Sequence, residues 1–229
     1  MKIISLFIGL MLCMQGAYAS SLDLYYNNDK FQIYCSENTE QTVDNTSYDL
    51  EKFYTKMSRE FDHYMIDPIE IIIYPNVKSF HQAIGEENAP EWLVASCINQ
   101  KIKIVSPDNP GTCHTRSSIN KIMKLSIVKA MITDKYGNVP FWLTFGLGAI
   151  KADFTYHKSP EEIPSLDQLE TLMKKNDFEE FSKIHGYSIS YYFVKFIQDT
   201  YGEDFLLRII PLHNIYKEGL YDEWRESLL

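Results

Sequence analysis

The sequence predicts an α+β fold: a small mixed sheet covered by helices, continued by a helical C-terminal part. Three observations carry this. Short stretches rich in β-branched and alternating apolar residues, "KFQIYC" (30–35), "PIEIIIYP" (68–75) and "KIKIV" (101–105), gather in the first half. Two helical stretches, 117–137 and 139–150, are apolar around most of their circumference and so must be buried. From 166 to 229 the chain reads as helices.

Each element has its own justification. "NTSYDLEKFYTKMSREFDHYM" repeats Leu50, Phe53, Tyr54, Met57, Phe61 and Tyr64 at three- and four-residue spacing, an amphipathic helix. Prolines bracket the strand at 68–75. "VKSFHQAIG" is a short helix ending at Gly85. "EWLVASCINQKIKIVSP" reads as two strands with a tight turn near Asn99-Gln100. Gly137 stops the long apolar helix. "VPFWLTFGLGAI" follows, uncharged yet carrying Gly146 and Gly148, which cost helix stability unless close packing needs them. After a polar connection over about 155–166 come "YSISYYFVKFIQDTYG", "EDFLLRIIPL" and "YDEWRESLL", the last with Trp224 and Leu228 one turn apart.

The ends and the charge narrow the class. Met1-Lys2, an apolar run from Ile3 to Met14 and Ala17-Tyr18-Ala19 form a signal-peptide pattern, so residues 1–19 are expected to be removed on export, to a periplasm or the medium. The run is too short for a membrane span. Two parts of one domain are expected to remain, an α+β part over 20–154 and a helical part over 155–229. Residues 1–19 hold one Lys and no acid, so the net charge of −9 becomes −10. Such an acidic chain is a poor nucleic-acid binder. An oxidising compartment allows a disulfide. Cys97 and Cys113 flank a loop of about 15 residues, where a bridge is worth on the order of 3 kcal/mol; Cys97–Cys113 is the expected pair, with Cys35 free.

The sparse basic start and the cleavage site suit a bacterium, and the order of these pieces resembles the gluzincin-like (thermolysin-type, peptidase-MA-like) zinc metallopeptidases, in their small secreted branch. The resemblance rests on Phe80, "KIKIVSP" (101–107), the buried helix, Pro140, Trp142, Leu143, Gly146 and Leu147 of "VPFWLTFGLGAI", and "YSISYYFVKFIQDTYGEDFLL" (187–207), ending near Trp224. It implies a zincin-like fold, and a peptide-binding edge strand at Lys101, Ile102, Lys103, Ile104 and Val105 that pairs main chain with main chain.

The departure from the family pattern bears on function. Zinc is gripped by two His at i and i+4 and a further Glu, while a Glu beside the first His activates water. Counting back from Pro140 puts the HExxH helix positions on Leu125, Ser126 and Lys129, and the third ligand on Phe145. No ligand and no general base remains there. No two of the six His share an i, i+4 face, and there is no G-x-S-x-G nucleophile motif. The sequence therefore reads as a non-catalytic pseudopeptidase that needs no metal or other cofactor and binds a peptide or protein partner of the cell envelope. Two rival readings stand beside it: an active hydrolase of the same fold using other residues, and an envelope structural or assembly protein. Leu125 and Phe145 are expected to meet as continuous core between their helices, with Lys129 reaching water or an acid.

Overall fold

The computed structural model describes residues 22–156, 162–175 and 177–228. The expected signal peptide, His157 and much of the polar connection lie outside them. Five strands form one mixed sheet: β1 (Asp23–Asn27), β2 (Phe31–Cys35), β3 (Ile69–Tyr74), β4 (Ala95–Ile98) and β5 (Lys101–Val105), in the order β1-β2-β3-β5-β4. The three inner strands run parallel, and β1 and β4 lie antiparallel on the two edges.

Register follows from side-chain alternation. Ile33, Ile71, Ile102 and Cys97 make one row across the sheet, and Cys35, Ile73, Ile104 and Ala95 the next. The isoleucines in both rows are fully buried. Each is worth about 1.5–3 kcal/mol of burial, so a one-residue slip, which would turn Glu70, Lys101 and Lys103 into the core, is strongly disfavoured. Those polar groups instead serve the opposite face: Lys101 pairs with Glu70 at 2.8 Å and Lys103 donates to the Ala83 carbonyl at 2.8 Å.

The expected edge strand needs correction. Lys101–Val105 is bonded on both sides, by β3 and by β4, and the free edge belongs to Ala95–Ile98. Burial explains the choice: Ile102 and Ile104 complete the rows begun by Ile71 and Ile73, whereas Ala95 and Ser96 have little to bury. The hairpin turns on Asn99 and Gln100, both at positive φ (49° and 63°), a type I′ turn matched to strand twist.

The row-bearing face is covered by α1 (Glu40–Glu60) and α3 (Arg116–Tyr136). α1 buries Leu50, Phe53, Tyr54 and Met57 as the spacing predicts, and begins five residues earlier than "NTS" because Thr42 and Val43 extend its buried stripe. α2 (Val77–Ile84) lies against β3 and β5 and is capped by the Asn76 side chain and by Gly85 at φ 76°. α4 (Phe141–Lys151) lies between α3 and α7 (Gly186–Tyr201). An alanine methyl at Gly146 would strike the Ser190 carbonyl and Val194 of α7; one at Gly148 would stand 3.0 Å from Leu125 Cγ of α3. The two glycines thus let one helix press against two neighbours.

The remaining helices are α5 (Leu166–Lys174), α6 (Phe178–Lys183), α8 (Glu203–Ile209) and α9 (His213–Glu226). Phe193 of α7 joins α9 to α4, with ring centroids 4.8 Å from Trp142, 4.9 Å from Tyr221 and 5.5 Å from Trp224. A single core cluster runs from the sheet into this tail, so both expected parts share one core. Trp224 is buried, but Leu228, past the end of α9, is exposed. Among the described residues no helix is long and apolar enough to cross a membrane.

Candidate functional site

A cleft of about 1230 Å³ is lined by β4, by α3 and α4, and by residues of α5, α6, α7 and α9. Leu125, Ser126, Lys129 and Phe145 all line it. The structure thus brings together the four positions that the sequence assigned to a lost metal centre.

Apolar packing joins two of them without closing the cleft. Leu125 is core, clustered with Ala149, Ala152 and Tyr191, and half-buried Phe145 packs against that cluster. The Phe145 ring, however, stacks on Phe141 one turn back in its own helix at 5.4 Å and leans on Tyr187 at 5.0 Å. Same-face pairing along α4 holds it to the wall, and the volume beside it stays open.

Tyr187 is the centre of that wall. Its ring also meets Phe181 at 5.0 Å, Trp92 at 5.9 Å and Phe141 at 6.0 Å. Burial drives its phenol pKa up, and burial pushes that of Tyr156, another lining residue, to about 12. Both are neutral hydroxyls at any physiological pH. Trp92 is held by its carbonyl, 2.8 Å from His114 Nε2.

The edge strand supplies main-chain groups. Val105 N–H donates to the Val94 carbonyl at 3.0 Å, which makes Val94 and Val105 a hydrogen-bonded pair. Alternation then gives Ser96 and Ile98 to the β5 ladder and turns the N–H and C=O of Ala95 and Cys97 outward, toward the cleft.

The polar side chains offer little chemistry. Ser126 Oγ donates to the Ile122 carbonyl at 2.9 Å. Glu170, the one carboxylate lining the cleft among the described residues, is held by Lys217 at 2.8 Å and accepts from Trp142 Nε1 at 3.2 Å. Cys97 Sγ points at the Ser126 carbonyl at 3.7 Å, and burial raises its pKa, opposed by nearby Lys129. A thiol so placed is a poor nucleophile. Lys129 is half-buried, with Nζ 5.7 Å from the Phe141 ring centroid.

The expected Cys97–Cys113 disulfide is not formed; Cys35, Cys97 and Cys113 are all free thiols. The register gives the reason. Cys97 belongs to a row that faces α3, whereas Cys113 stands exposed in the loop before that helix. Cys35 lies on β2, with β3 and β5 between it and β4, in the row of Ile73 and Ile104.

The zinc centre that the resemblance implies does not fit these residues. Leu125 and Phe145 have no donor atom, Lys129 carries an ammonium, and the Ser126 hydroxyl is spent on its own helix. No group of three or more His, Cys, Asp or Glu side chains able to hold a metal comes together among the described residues. Among the described residues, three further histidines are occupied locally: His63 with Asp134 at 2.8 Å, His81 with the Leu93 carbonyl at 2.8 Å, and His213 with the Ile210 carbonyl at 2.8 Å.

In comparison with known proteins, the chain matches no family model and no curated protein.

Proposed function

We propose that this chain is an exported, gluzincin-like protein that has lost its zinc ligands and binds an extended peptide segment along β4 without cleaving it. One observation carries the reading: the unpaired edge of β4 faces the same cleft as the four degenerate motif positions. Main-chain bonds from Ala95 and Cys97 would give affinity, and the aromatic wall would select apolar side chains. The mixed sheet with an antiparallel edge and the α3–α4 pair agree with the resemblance drawn from the sequence. The expected partner is a peptide, or an extended loop of a protein, in the envelope or the medium.

The test uses Ala95→Pro. It removes an N–H that faces the cleft and leaves the β5 ladder whole, the position where an edge strand tolerates proline. Binding of an apolar peptide, followed by calorimetry, should fall at least about tenfold, the effect of losing roughly one hydrogen bond, while the melting curve keeps its shape. The parent should contain no stoichiometric zinc and show no chelator-sensitive cleavage. One tightly held zinc per chain with such cleavage would overturn the proposal, and so would undiminished binding by the proline variant.

A further inference from the structure

The cleft has a charge of its own, opposite to that of the protein. The chain carries −9 overall, yet Glu170, the single carboxylate on the cleft lining among the described residues, is neutralised by Lys217, which donates to both its oxygens at 2.9 and 2.8 Å. Two lysines remain on the lining: Lys174, largely exposed and 3.9 Å from the same Glu170, and Lys129. Lys129 projects from α3 into the cleft, beside Cys97 of β4, and among the described residues its Nζ meets the face of Phe141 and no carboxylate. An ammonium half-removed from water without such a counter-ion is incompletely satisfied.

The position along the groove narrows the ligand further. α3 runs alongside β4: His114, just before it, holds Trp92, Ser126 lies opposite Cys97, and Asp134 accepts from Gln100 at the hairpin tip. Lys129 stands between the last two levels. The lining continues past it in both directions, to Trp92 and His114 at one end and to Thr133 and Asn138 at the other. A peptide lying on β4 would therefore run past Lys129 rather than end there.

From this we infer that the peptide bound along β4 carries an acidic side chain, Asp or Glu, that pairs with Lys129, with apolar or aromatic residues on either side of it. The inference rests on the β4 reading above and adds to it the chemical identity of the occupant. The carboxylate takes the ammonium as its counter-ion, and the flanking residues lie on Phe141, Phe145 and Tyr187. The side-chain carboxylate is favoured over a terminal one because the groove does not close at Lys129.

Three pentapeptides separate the alternatives: acetyl-Val-Phe-Glu-Phe-Val-amide, its Gln counterpart, and the Gln peptide with a free C-terminal carboxylate. Each is titrated by calorimetry into the full chain at low ionic strength. The Glu peptide should bind about tenfold or more tightly than the Gln amide, the range for a hydrogen bond to a charged group. Lys129→Met should bring the Glu peptide down to the Gln level and leave the Gln peptide unchanged; Lys129→Arg should keep the preference. Equal binding of Glu and Gln amides, an equal loss of both in Lys129→Met, or a gain confined to the free carboxylate would each overturn the inference. In all three cases the β4 reading survives if Ala95→Pro still weakens binding of the Gln amide about tenfold. Binding of none of the three peptides overturns both.

Discussion

Gly146→Ala is the sharpest test of the helix packing that shapes the cleft. The added methyl would run into the Ser190 carbonyl and Val194 of α7. Neither can give way cheaply. Ser190 is fully buried, its hydroxyl donates to the Gly186 carbonyl at 2.7 Å, and a helix carbonyl cannot swing aside as a side chain can. Two terms compete. Alanine gains about 1 kcal/mol over glycine in a helix interior. Overpacking against fixed backbone costs about 1–3 kcal/mol, sometimes more. Because the obstacle is backbone, the upper end of that range applies, and the net loss should be about 2 kcal/mol. For a chain of this size that lowers the melting temperature by about 4–8 °C. Urea and thermal unfolding followed by circular dichroism measure it. Gly148→Ala is the control. Its nearest neighbour is Leu125 Cγ at 3.0 Å, a side-chain atom, with the Leu125 carbonyl at 3.1 Å, so the gain and the cost should cancel to within about 1 kcal/mol. A Gly146→Ala protein as stable as the parent would refute the argument that this glycine exists to bring α4 against α7.

Two further outcomes follow from groups away from the cleft. Lys151, with its side chain only 7% exposed, holds Glu60 of α1 and Glu203 of α8 together; burial raises the pKa of Glu60, while its hydrogen bond to Glu60 lowers that of Glu203. Lys151→Met leaves two facing carboxylates without their counter-ion and should cost about 2–3 kcal/mol at pH 7, toward the low end for a broken pair because Glu203 is partly solvated. The folded variant then holds a proton that the unfolded chain releases, so the deficit should shrink as pH falls from 7 to 5; a loss that does not change with pH would contradict this. A thiol reagent should modify Cys113 quickly in the native protein and reach Cys35 and Cys97 only on unfolding, all three cysteines of the described residues; loss of two of these three thiols in the unfolded, unreduced chain would mean a bridge after all.

The parts of this fold that were legible in the sequence are those where burial leaves a period. Ile69, Ile71 and Ile73 alternate with a second set because one sheet face is core, and α3 is apolar around most of its circumference because it packs against the sheet, α1 and α4. β1 left no such trace: four of its five residues are exposed, so "DLYYN" has no buried face to alternate. The order of strands within the sheet is set by which neighbours complete a buried row, which local pattern does not encode; hence Lys101–Val105 read as an edge. The cysteine spacing permitted a bridge but could not say that Cys97 faces inward. At the candidate site, the sequence brought Leu125, Ser126, Lys129 and Phe145 to one place, and their apolar character suggested a filled space. It could not show that Phe145 would stack along its own helix, nor that Ala95 and Cys97 would present main-chain groups opposite.

An unpaired strand edge is ordinarily a hazard, because any other sheet with a free edge can add to it and start an aggregate. Here the edge of β4 is recessed. It lines one cleft together with residues of α4, α6 and α7. A folded sheet brings a layer of side chains and covering helices with it and is too thick to enter, whereas a single extended strand is not. On the peptide-binding reading proposed above, such a recess would act as a steric filter for the state of the incoming chain as much as for its sequence: it would admit segments that are unfolded, freshly cut or looped out, and turn folded edges away. An acidic protein can in this way keep a sticky strand on permanent display and remain dispersed in a crowded compartment.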